Sequence, residues 1–150
     1  MDTTDKKILS QLQVNARISN AELADKVNLS PTPCLRRVRK LEDDGVITQY
    51  RAELDLSKIG LNISALVFIQ LTLNSTDNAR QFEEAIQGIR RIRECFVLTG
   101  RYDYLLRVVA NDLADYEKLI KGELAGIPNI KNIESTIVLN QLAADATLPI

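Results

Sequence analysis

Four of the five residues from 36 to 40 carry a positive charge: Arg36, Arg37, Arg39 and Lys40. An arginine side chain can donate two hydrogen bonds to O6 and N7 of guanine, and both arginine and lysine bind phosphate oxygens. A basic run taken alone is more often the solvated face of a surface helix. The residues around the cluster therefore decide whether its cations point together toward a negatively charged partner.

The residues before the cluster predict that a helix begins at Pro31. Ser30 is a favourable capping residue, and proline at the first helical position loses no hydrogen bond because that N–H has no partner inside a helix. Pro33 still lies in the first turn, where the same reasoning applies. Gly45 marks the helix end, since glycine readily adopts the left-handed conformation found there. The two prolines thus indicate a helix start and not a linker.

The spacing of apolar residues predicts which side of this helix faces the interior. Three apolar side chains share one face at about 100° per residue: Leu35, Val38 and Leu41. Arg36 and Lys40 then point nearly opposite, while Arg37 and Arg39 flank the apolar stripe. Thr32, on the exposed first turn, can touch a thymine methyl group in the major groove. Arg39 and Lys40 lie farther along the helix and are better placed for phosphates.

Two shorter helices are predicted before this one. The first covers Asp5–Gln13, where apolar residues recur at helical spacing, and we expect Thr4 or Asp5 to cap it. Ser19 and Glu22 have the spacing of a capping box, in which each side chain accepts a backbone N–H of the other residue. The second helix therefore begins just after Ser19.

A tight turn at 28–30 joins the second and third predicted helices, and Asn28 tolerates the left-handed conformation that such a turn requires. Two helices joined in this way are typical of a helix-turn-helix, whose second member enters the major groove of DNA. The cap, the turn, the prolines and the apolar spacing agree with one another, which favours DNA binding over a merely solvated surface. We predict double-stranded DNA as a partner.

From about residue 63 the pattern changes to short apolar strands that alternate with helices. Strands are predicted at Ile63–Leu73, Ile92–Thr99, Tyr104–Ala110 and Ile130–Leu139, and helices at Asn78–Ile89 and from Asp112 to about Gly126. This order, βαββαβ, is that of a ferredoxin-like domain. Because its helices cover only one face of the sheet, we expect a second copy of the chain to cover the other face.

The predicted fold class is α+β, with an N-terminal three-helix helix-turn-helix domain joined by a strand hinge to a C-terminal ferredoxin-like βαββαβ domain. The hinge strand is expected at Val46–Ala52. The predicted divisions are 1–46 for the helix-turn-helix domain, 47–61 for the strand and hinge, 62–143 for the ferredoxin-like domain and 144–150 for a C-terminal tail.

Composition excludes several classes of function. The chain has 150 residues, a formal net charge of −1 and no histidine, which removes His-dependent acid–base and nucleophilic catalysis. Cys34 and Cys95 lie far apart, so we expect two reduced thiols packed as small apolar residues and no zinc site. No phosphate-binding glycine motif, signal peptide or transmembrane run is evident. We therefore expect a cytoplasmic protein that is neither an enzyme nor membrane-bound.

Two stretches resemble a known family. The stretch ISNAELADKVNLSPTPCLRRVRKLEDDGVITQY resembles the DNA-binding half of the Lrp/AsnC, or feast/famine, transcriptional regulators, and TGRYDYLLRV resembles their Gly-x-Tyr-Asp turn between strands. The resemblance implies a helix-turn-helix, a strand hinge and a ferredoxin-like domain that dimerises through its sheet. It also implies assembly of dimers into tetramers or octamers, and a free amino acid as effector at the interface between dimers. No other cofactor is implied.

The resemblance also implies two sets of site residues. The predicted DNA contacts are Ser30, Thr32, Pro33, Arg36, Arg37, Arg39 and Lys40. The predicted effector contacts are Gly100, Arg101, Tyr102, Asp103, Tyr104, Thr136 and Ile137. Asp103 can accept the ammonium group of an amino acid, or it can bond its own backbone as a turn residue. Arg101 stands where several relatives have an acidic residue, so a more acidic ligand or a blocked site is also possible.

Two other functions share parts of this pattern. A chromatin-like architectural protein would use the same helix-turn-helix with little sequence preference and no effector. An amino-acid-sensing regulatory subunit of an enzyme would use a similar α/β domain, but the basic cluster argues against it.

Overall fold

The computed structural model describes residues 1–73, 75–142 and 147–150 and divides the chain into two compact units. The first contains Met1–Glu53 together with the C-terminal segment from Leu142, and the second runs from Leu54 to Gln141. The predicted hinge at 47–61 is therefore divided between the two units. No helix among the described residues is long and apolar enough to cross a membrane.

The first unit contains three helices: α1 (Thr3–Val14), α2 (Asn20–Lys26) and α3 (Pro31–Asp43). The predicted capping box of α2 is confirmed, because Glu22 and Ser19 each accept the backbone N–H of the other. The predicted cap of α1 at Thr4 or Asp5 is wrong. Asp2 caps this helix and forms a second capping box with Asp5 three residues later.

The turn between α2 and α3 has the geometry that its sequence predicts. Asn28 adopts φ 56°, and the Leu29 N–H donates to the Ala24 carbonyl at 2.9 Å. The side-chain amide of Asn20 donates to the Pro31 carbonyl at 2.9 Å, which ties the starts of the two helices together. These contacts hold α2 and α3 as a helix-turn-helix pair.

The buried stripe of α3 differs from the predicted one. Cys34 is fully buried and Leu41 is nearly so, whereas Leu35 is 38% exposed. Cys34, Val38 and Leu41 lie at i, i+4 and i+7, so their side chains form one stripe along the helix. Cys34 takes the place in this stripe that was predicted for Leu35. The core they enter consists of Ile8, Leu23, Ala24, Val27, Cys34 and Leu41. The prediction that Cys34 packs as a small apolar residue is confirmed.

Residues 46–52, predicted as a strand, form no strand in the structure. The N–H groups of Val46 and Ile47 both donate to the Leu41 carbonyl, so the segment begins as a closure of α3. A strand requires a neighbouring strand to accept its backbone hydrogen bonds, and the described residues of this unit contain none.

The second unit has the predicted βαββαβ order. Its elements are β1 (Ile63–Leu71), α4 (Thr76–Gln87), β2 (Ile92–Val97), β3 (Tyr104–Ala110), α5 (Leu113–Lys118) and β4 (Ile130–Ile137). A π-helical turn, Leu119–Leu124, continues α5. The strands form one antiparallel sheet in the order β2-β3-β1-β4, which confirms the ferredoxin-like prediction.

Alternation along the strands divides the sheet into two unlike faces. One face is covered by α4 and α5, and its core includes Ala65, Val67, Ile69, Phe82, Leu106, Val108, Leu119 and Leu124. The opposite face, here called the helix-free face, presents Leu66, Phe68, Phe96 and Leu105, none of which is fully buried. Cys95 was predicted to be buried but is exposed, because it lies on β2 at the edge of the sheet.

Phe82 is the largest fully buried side chain and should dominate the stability of the second unit. We expect Phe82→Ala to lower the free energy of unfolding by about 3–5 kcal/mol through lost burial and the cavity left behind. Leu113→Ala is the control, because Leu113 is 62% exposed and its truncation should cost less than about 0.5 kcal/mol. Urea unfolding followed by circular dichroism measures both, and equal costs would contradict the described core.

Candidate nucleic-acid interface and effector loop

The exposed face of α3 carries most of the predicted DNA contacts. Arg36, Arg39 and Lys40 are exposed, opposite the buried Cys34 stripe. Two open grooves border the ridge formed by Arg36 and Lys40, with volumes of about 450 and 410 Å³. An exposed helix face that carries cations can enter the major groove of DNA and contact its base edges and phosphates.

The N-terminal turn of α3 exposes small polar groups and few N–H donors. Pro31 and Pro33 have no N–H, so Thr32 supplies the only backbone donor among the first three helical positions. Ser30 occupies the capping position, but within the described chain its side chain makes no capping hydrogen bond. Ser30 and Thr32 are exposed and Pro33 is half-buried, so this turn presents two hydroxyl groups beside a proline ring.

Arg37 lies in a different environment from the other three cations. Its Nη1 atom is 2.7 Å from Asp2 Oδ2 and 2.7 Å from Asp5 Oδ1, at the start of α1. The pKa of Asp2 is lowered first by the Asp5 N–H and then by Arg37, and the pKa of Asp5 is lowered by the Asp2 N–H and, to a smaller extent, by Arg37. The structure thus places Arg37 against α1, beside the cationic ridge.

The loop between β2 and β3 contains most of the predicted effector contacts. Gly100 adopts φ 126°, a conformation that side chains with a Cβ rarely tolerate, although the space around it is open. The Leu98 N–H donates to the Asp103 carbonyl, and the Asp103 N–H donates to the Ile69 carbonyl, at 2.8 and 2.9 Å. These bonds fix both ends of the loop on the sheet.

Tyr102 places part of this loop beside the helix-free face. Its ring packs against Phe68 with centroids 5.3 Å apart, and its hydroxyl donates to Glu134. The hydrogen bond to Glu134 raises the pKa of Tyr102, and desolvation adds to this effect. The Arg101 guanidinium lies 5.3 Å from the centre of the Tyr102 ring. A cation, a carboxylate and a phenol therefore meet at one position.

Thr136 and Glu134 lie on the same face as Tyr102. In the register of the sheet, Thr136 is opposite Leu66 and Glu134 is opposite Phe68. Directly opposed residues of an antiparallel pair share a face. Glu134 contacts the loop through Tyr102, and Thr136 lies two residues farther along the same face. Sequence reasoning missed Glu134, although its position two residues before Thr136 on a predicted strand was the available signal.

Tyr104 and Ile137 differ from the expectation that they line the effector loop. Tyr104 is 3% exposed on the helix-covered face, where its ring lies 4.5 Å from that of Phe82 and its hydroxyl donates to Glu83 at 2.8 Å. Burial, followed by this hydrogen bond, raises the pKa of Tyr104. Ile137 packs at the edge of the same core. Alternation along β4 places Ile137 on the face opposite Thr136. Tyr104 begins β3 on the helix-covered face, whereas Tyr102 lies in the loop before this strand.

Asp103 has a backbone partner. Its Oδ2 atom accepts the Leu71 N–H at 2.8 Å. The pairing of β1 with β3 ends at Ile69 opposite Tyr104, so β3 does not extend far enough to pair with Leu71. The carboxylate thus satisfies an N–H group at the end of β1 and joins the loop to that strand.

Comparisons with known proteins agree with this division into two sites. Residues 1–48 match a family model described as winged helix-turn-helix DNA-binding, and residues 64–148 match the Lrp/AsnC ligand binding domain. The fold and the basic helix thus define a DNA-binding regulator with a separate ligand-binding domain. The chain belongs to the Lrp/AsnC family of transcriptional regulators.

Individual relatives cover nearly the whole chain. The leucine-responsive regulatory protein of Escherichia coli is 40% identical over 144 residues, which are 95% of this chain and 87% of that protein. A transcriptional regulator from Neisseria meningitidis, solved in complex with L-methionine, superposes with a TM-score of 0.94 at 34% identity, covering 99% and 96% of the two chains. An AsnC family regulator from Agrobacterium tumefaciens superposes with a TM-score of 0.92 at 37% identity, covering 99% of this chain and 97% of that one.

The Asp103 hydrogen bond yields a test that needs no ligand. Asp103→Ala removes the acceptor and leaves the Leu71 N–H without its partner, which should cost about 1–3 kcal/mol of stability. Asp103→Asn keeps an acceptor oxygen at that position and should retain most of the stability. Urea unfolding separates the two variants, and an Asn variant that is as unstable as the Ala variant would contradict the assigned hydrogen bond.

Proposed function

We propose that this protein binds a specific DNA sequence by inserting α3 into the major groove, and that a free amino acid bound near Gly100 regulates this binding. The observation that carries the proposal is the outward projection of Arg36 and Lys40, opposite the buried Cys34 stripe. Arg36 contacts base edges from the middle of the helix, and Arg39 and Lys40 contact phosphates. Ser30, Thr32 and Pro33 form the leading edge of the contact.

The proposed assembly is a homodimer formed through the helix-free face. Phe96 is 47% exposed there, and the half-buried Leu66, Phe68 and Leu105 lie on the same face. A sheet with one apolar face uncovered is stabilised when a second copy covers it. A two-fold dimer presents two recognition helices to successive major grooves, about 34 Å apart on a pseudo-palindromic site. Dimers assemble further into tetramers or octamers.

The proposed effector is a zwitterionic amino acid held by the loop between β2 and β3. Arg101 offers a cation for the carboxylate of the ligand, and Glu134 offers a carboxylate for its ammonium group. Gly100 permits a close approach of the loop backbone, and Thr136 adds a hydroxyl group. The L-methionine complex of the Neisseria meningitidis relative supports an amino acid as the ligand class. Regulation requires that the ligand bind two assembly states with different affinities.

Two substitutions on α3 test the DNA-binding proposal. Arg36→Ala should cost about 1–3 kcal/mol of binding energy and relax the preference for particular base pairs. Lys40→Ala should weaken binding to all sequences and reduce the salt slope by about 1, because one phosphate contact is lost. Fluorescence anisotropy with selected and random DNA at several salt concentrations measures both effects. Arg80→Ala, on the exposed surface of α4, is the control and should change neither the affinity for DNA nor the salt slope.

An Arg36→Ala protein that loses affinity equally for all sequences would show that Arg36 holds the backbone and does not read bases. Equal affinity of the unaltered protein for selected and random DNA would indicate a chromatin-like architectural protein. Unchanged DNA binding in both variants would overturn the proposed interface.

A matched pair of glycine substitutions tests the effector site. Binding of the correct amino acid to the folded protein should raise its melting temperature, with L-methionine as the first candidate. Gly100→Ala should abolish this rise, because the φ of 126° is strained for alanine. Gly88→Ala is the control, since Gly88 has an ordinary φ of −79° and equally open surroundings. A screen in which no proteinogenic amino acid raises the midpoint would remove the effector proposal for this protein.

A further inference from the structure

Arg37 stands apart from the three cations around it because it belongs to a closed ring of hydrogen bonds. Each of the two carboxylates at the start of α1 uses one oxygen for Arg37 and the other for the backbone. Asp2 Oδ1 accepts the Asp5 N–H and Asp5 Oδ2 accepts the Asp2 N–H, both at 2.9 Å. The remaining oxygens, Asp2 Oδ2 and Asp5 Oδ1, both accept from Arg37 Nη1 at 2.7 Å. All four carboxylate oxygens are therefore engaged.

The rotation of α3 explains why Arg37 and not Arg36 enters this ring. The buried stripe is centred on Cys34, Val38 and Leu41, and at about 100° per residue Arg37 lies only some 60° from its centre. Its side chain is 35% exposed, and that of Asp5 is 16% exposed. Arg36 lies on the opposite side of the helix and is exposed. Within the described residues, the ion pairs of α3 are all made by Arg37.

The ring links α1 to α3, and the orientation of α3 relative to α1 must stay fixed when α3 binds DNA. Asp2 and Asp5 belong to the first turn of α1, and Arg37 is in the middle of α3. Charge-assisted hydrogen bonds are shorter and stronger than neutral ones, and these two are short. For Arg37 to turn toward DNA, it would have to leave two carboxylates unpaired on a surface that faces phosphates. Both effects favour the closed ring during DNA binding.

We propose that Arg37 is a positioning residue for DNA binding, which fixes the angle of the recognition helix by holding Asp2 and Asp5, and that it makes no DNA contact of its own. This inference rests on the proposed role of α3 and narrows the set of DNA contacts predicted from the sequence. The ring sets the direction in which Arg36 and Lys40 leave the protein surface. It also offsets, with one positive charge, part of the negative charge of two carboxylates beside the cationic ridge.

The direction in which one substitution changes the affinity for DNA tests the positioning role of Arg37. Asp5→Asn removes a negative charge near the DNA, so electrostatics alone predicts tighter binding. Loss of the ring predicts weaker binding instead, by roughly tenfold, a typical size for coupling within one hydrogen-bond network. Asparagine keeps an oxygen to accept the Asp2 N–H, so the helix cap can persist. Asp25→Asn, an exposed aspartate on α2, is the matched control for the charge change alone.

A double-mutant cycle with Arg37→Gln distinguishes positioning from contact. If both residues act through the ring, the Asp5→Asn/Arg37→Gln protein binds DNA about as weakly as either single variant. The salt slope of Arg37→Gln should also equal that of the unaltered protein, whereas loss of a phosphate contact lowers it by about 1. Circular dichroism at the assay temperature confirms that each variant is folded.

The outcomes separate this inference from the proposed function. Tighter binding by Asp5→Asn, additive losses or a reduced salt slope for Arg37→Gln would each overturn the positioning role. Arg36→Ala is measured alongside, because unchanged binding in that variant would mean that the proposed interface itself is wrong. A weakened Arg36→Ala protein with unaffected Arg37→Gln and Asp5→Asn proteins would leave the interface standing and remove the inference.

Discussion

Burial of Cys34 and Leu41 in the core of the first unit determines how α3 presents its charges. Both side chains are almost fully buried in one cluster with Ile8 on α1. Rotating α3 about its axis would expose these apolar groups and bury cations, and each buried unpaired charge costs several kcal/mol. The packing therefore directs Arg36 outward and brings Arg37 to the side, where the start of α1 supplies two carboxylates.

A second constraint of the same kind organises the other unit. The side chains of a strand alternate between two faces, and α4 and α5 cover only one of them. Tyr102 lies in the loop before β3 and is therefore not bound by this alternation, although it is only two residues from Tyr104. Tyr102 packs on Phe68 at the helix-free face, whereas Tyr104 is buried beside Phe82. The proposed effector position and the proposed dimer surface thus both depend on the uncovered face of one sheet.

Features that depend on local sequence were predictable. The capping box of Ser19, the left-handed Asn28 and the start of α3 at Pro31 each follow from a few adjacent residues, and all three are present. The order of strands and helices along the second unit followed from the length and spacing of apolar runs. Sequence and structure agree wherever one dominant local preference has no competitor.

The structure differs from the sequence-based predictions where contacting residues are distant in sequence or where two local patterns compete. Leu35 and Cys34 are both apolar and differ by one position, so only packing against α1 and α2 selects Cys34. The ring of Arg37 joins residues more than 30 positions apart, and no local spacing encodes such a pair. Cys95 is exposed because its strand is at the sheet edge, which depends on the strand order.

We propose that the packing of α3 brings Arg36 to DNA base edges while Arg37 stays on α1. A structure of the protein bound to its selected DNA site is the decisive measurement. We expect α3 in the major groove, with the Arg36 guanidinium within about 3 Å of base-edge acceptors and Arg37 still bound to Asp2 and Asp5. A complex in which α3 lies outside the major groove, or in which Arg37 has left both carboxylates to contact DNA, would contradict it.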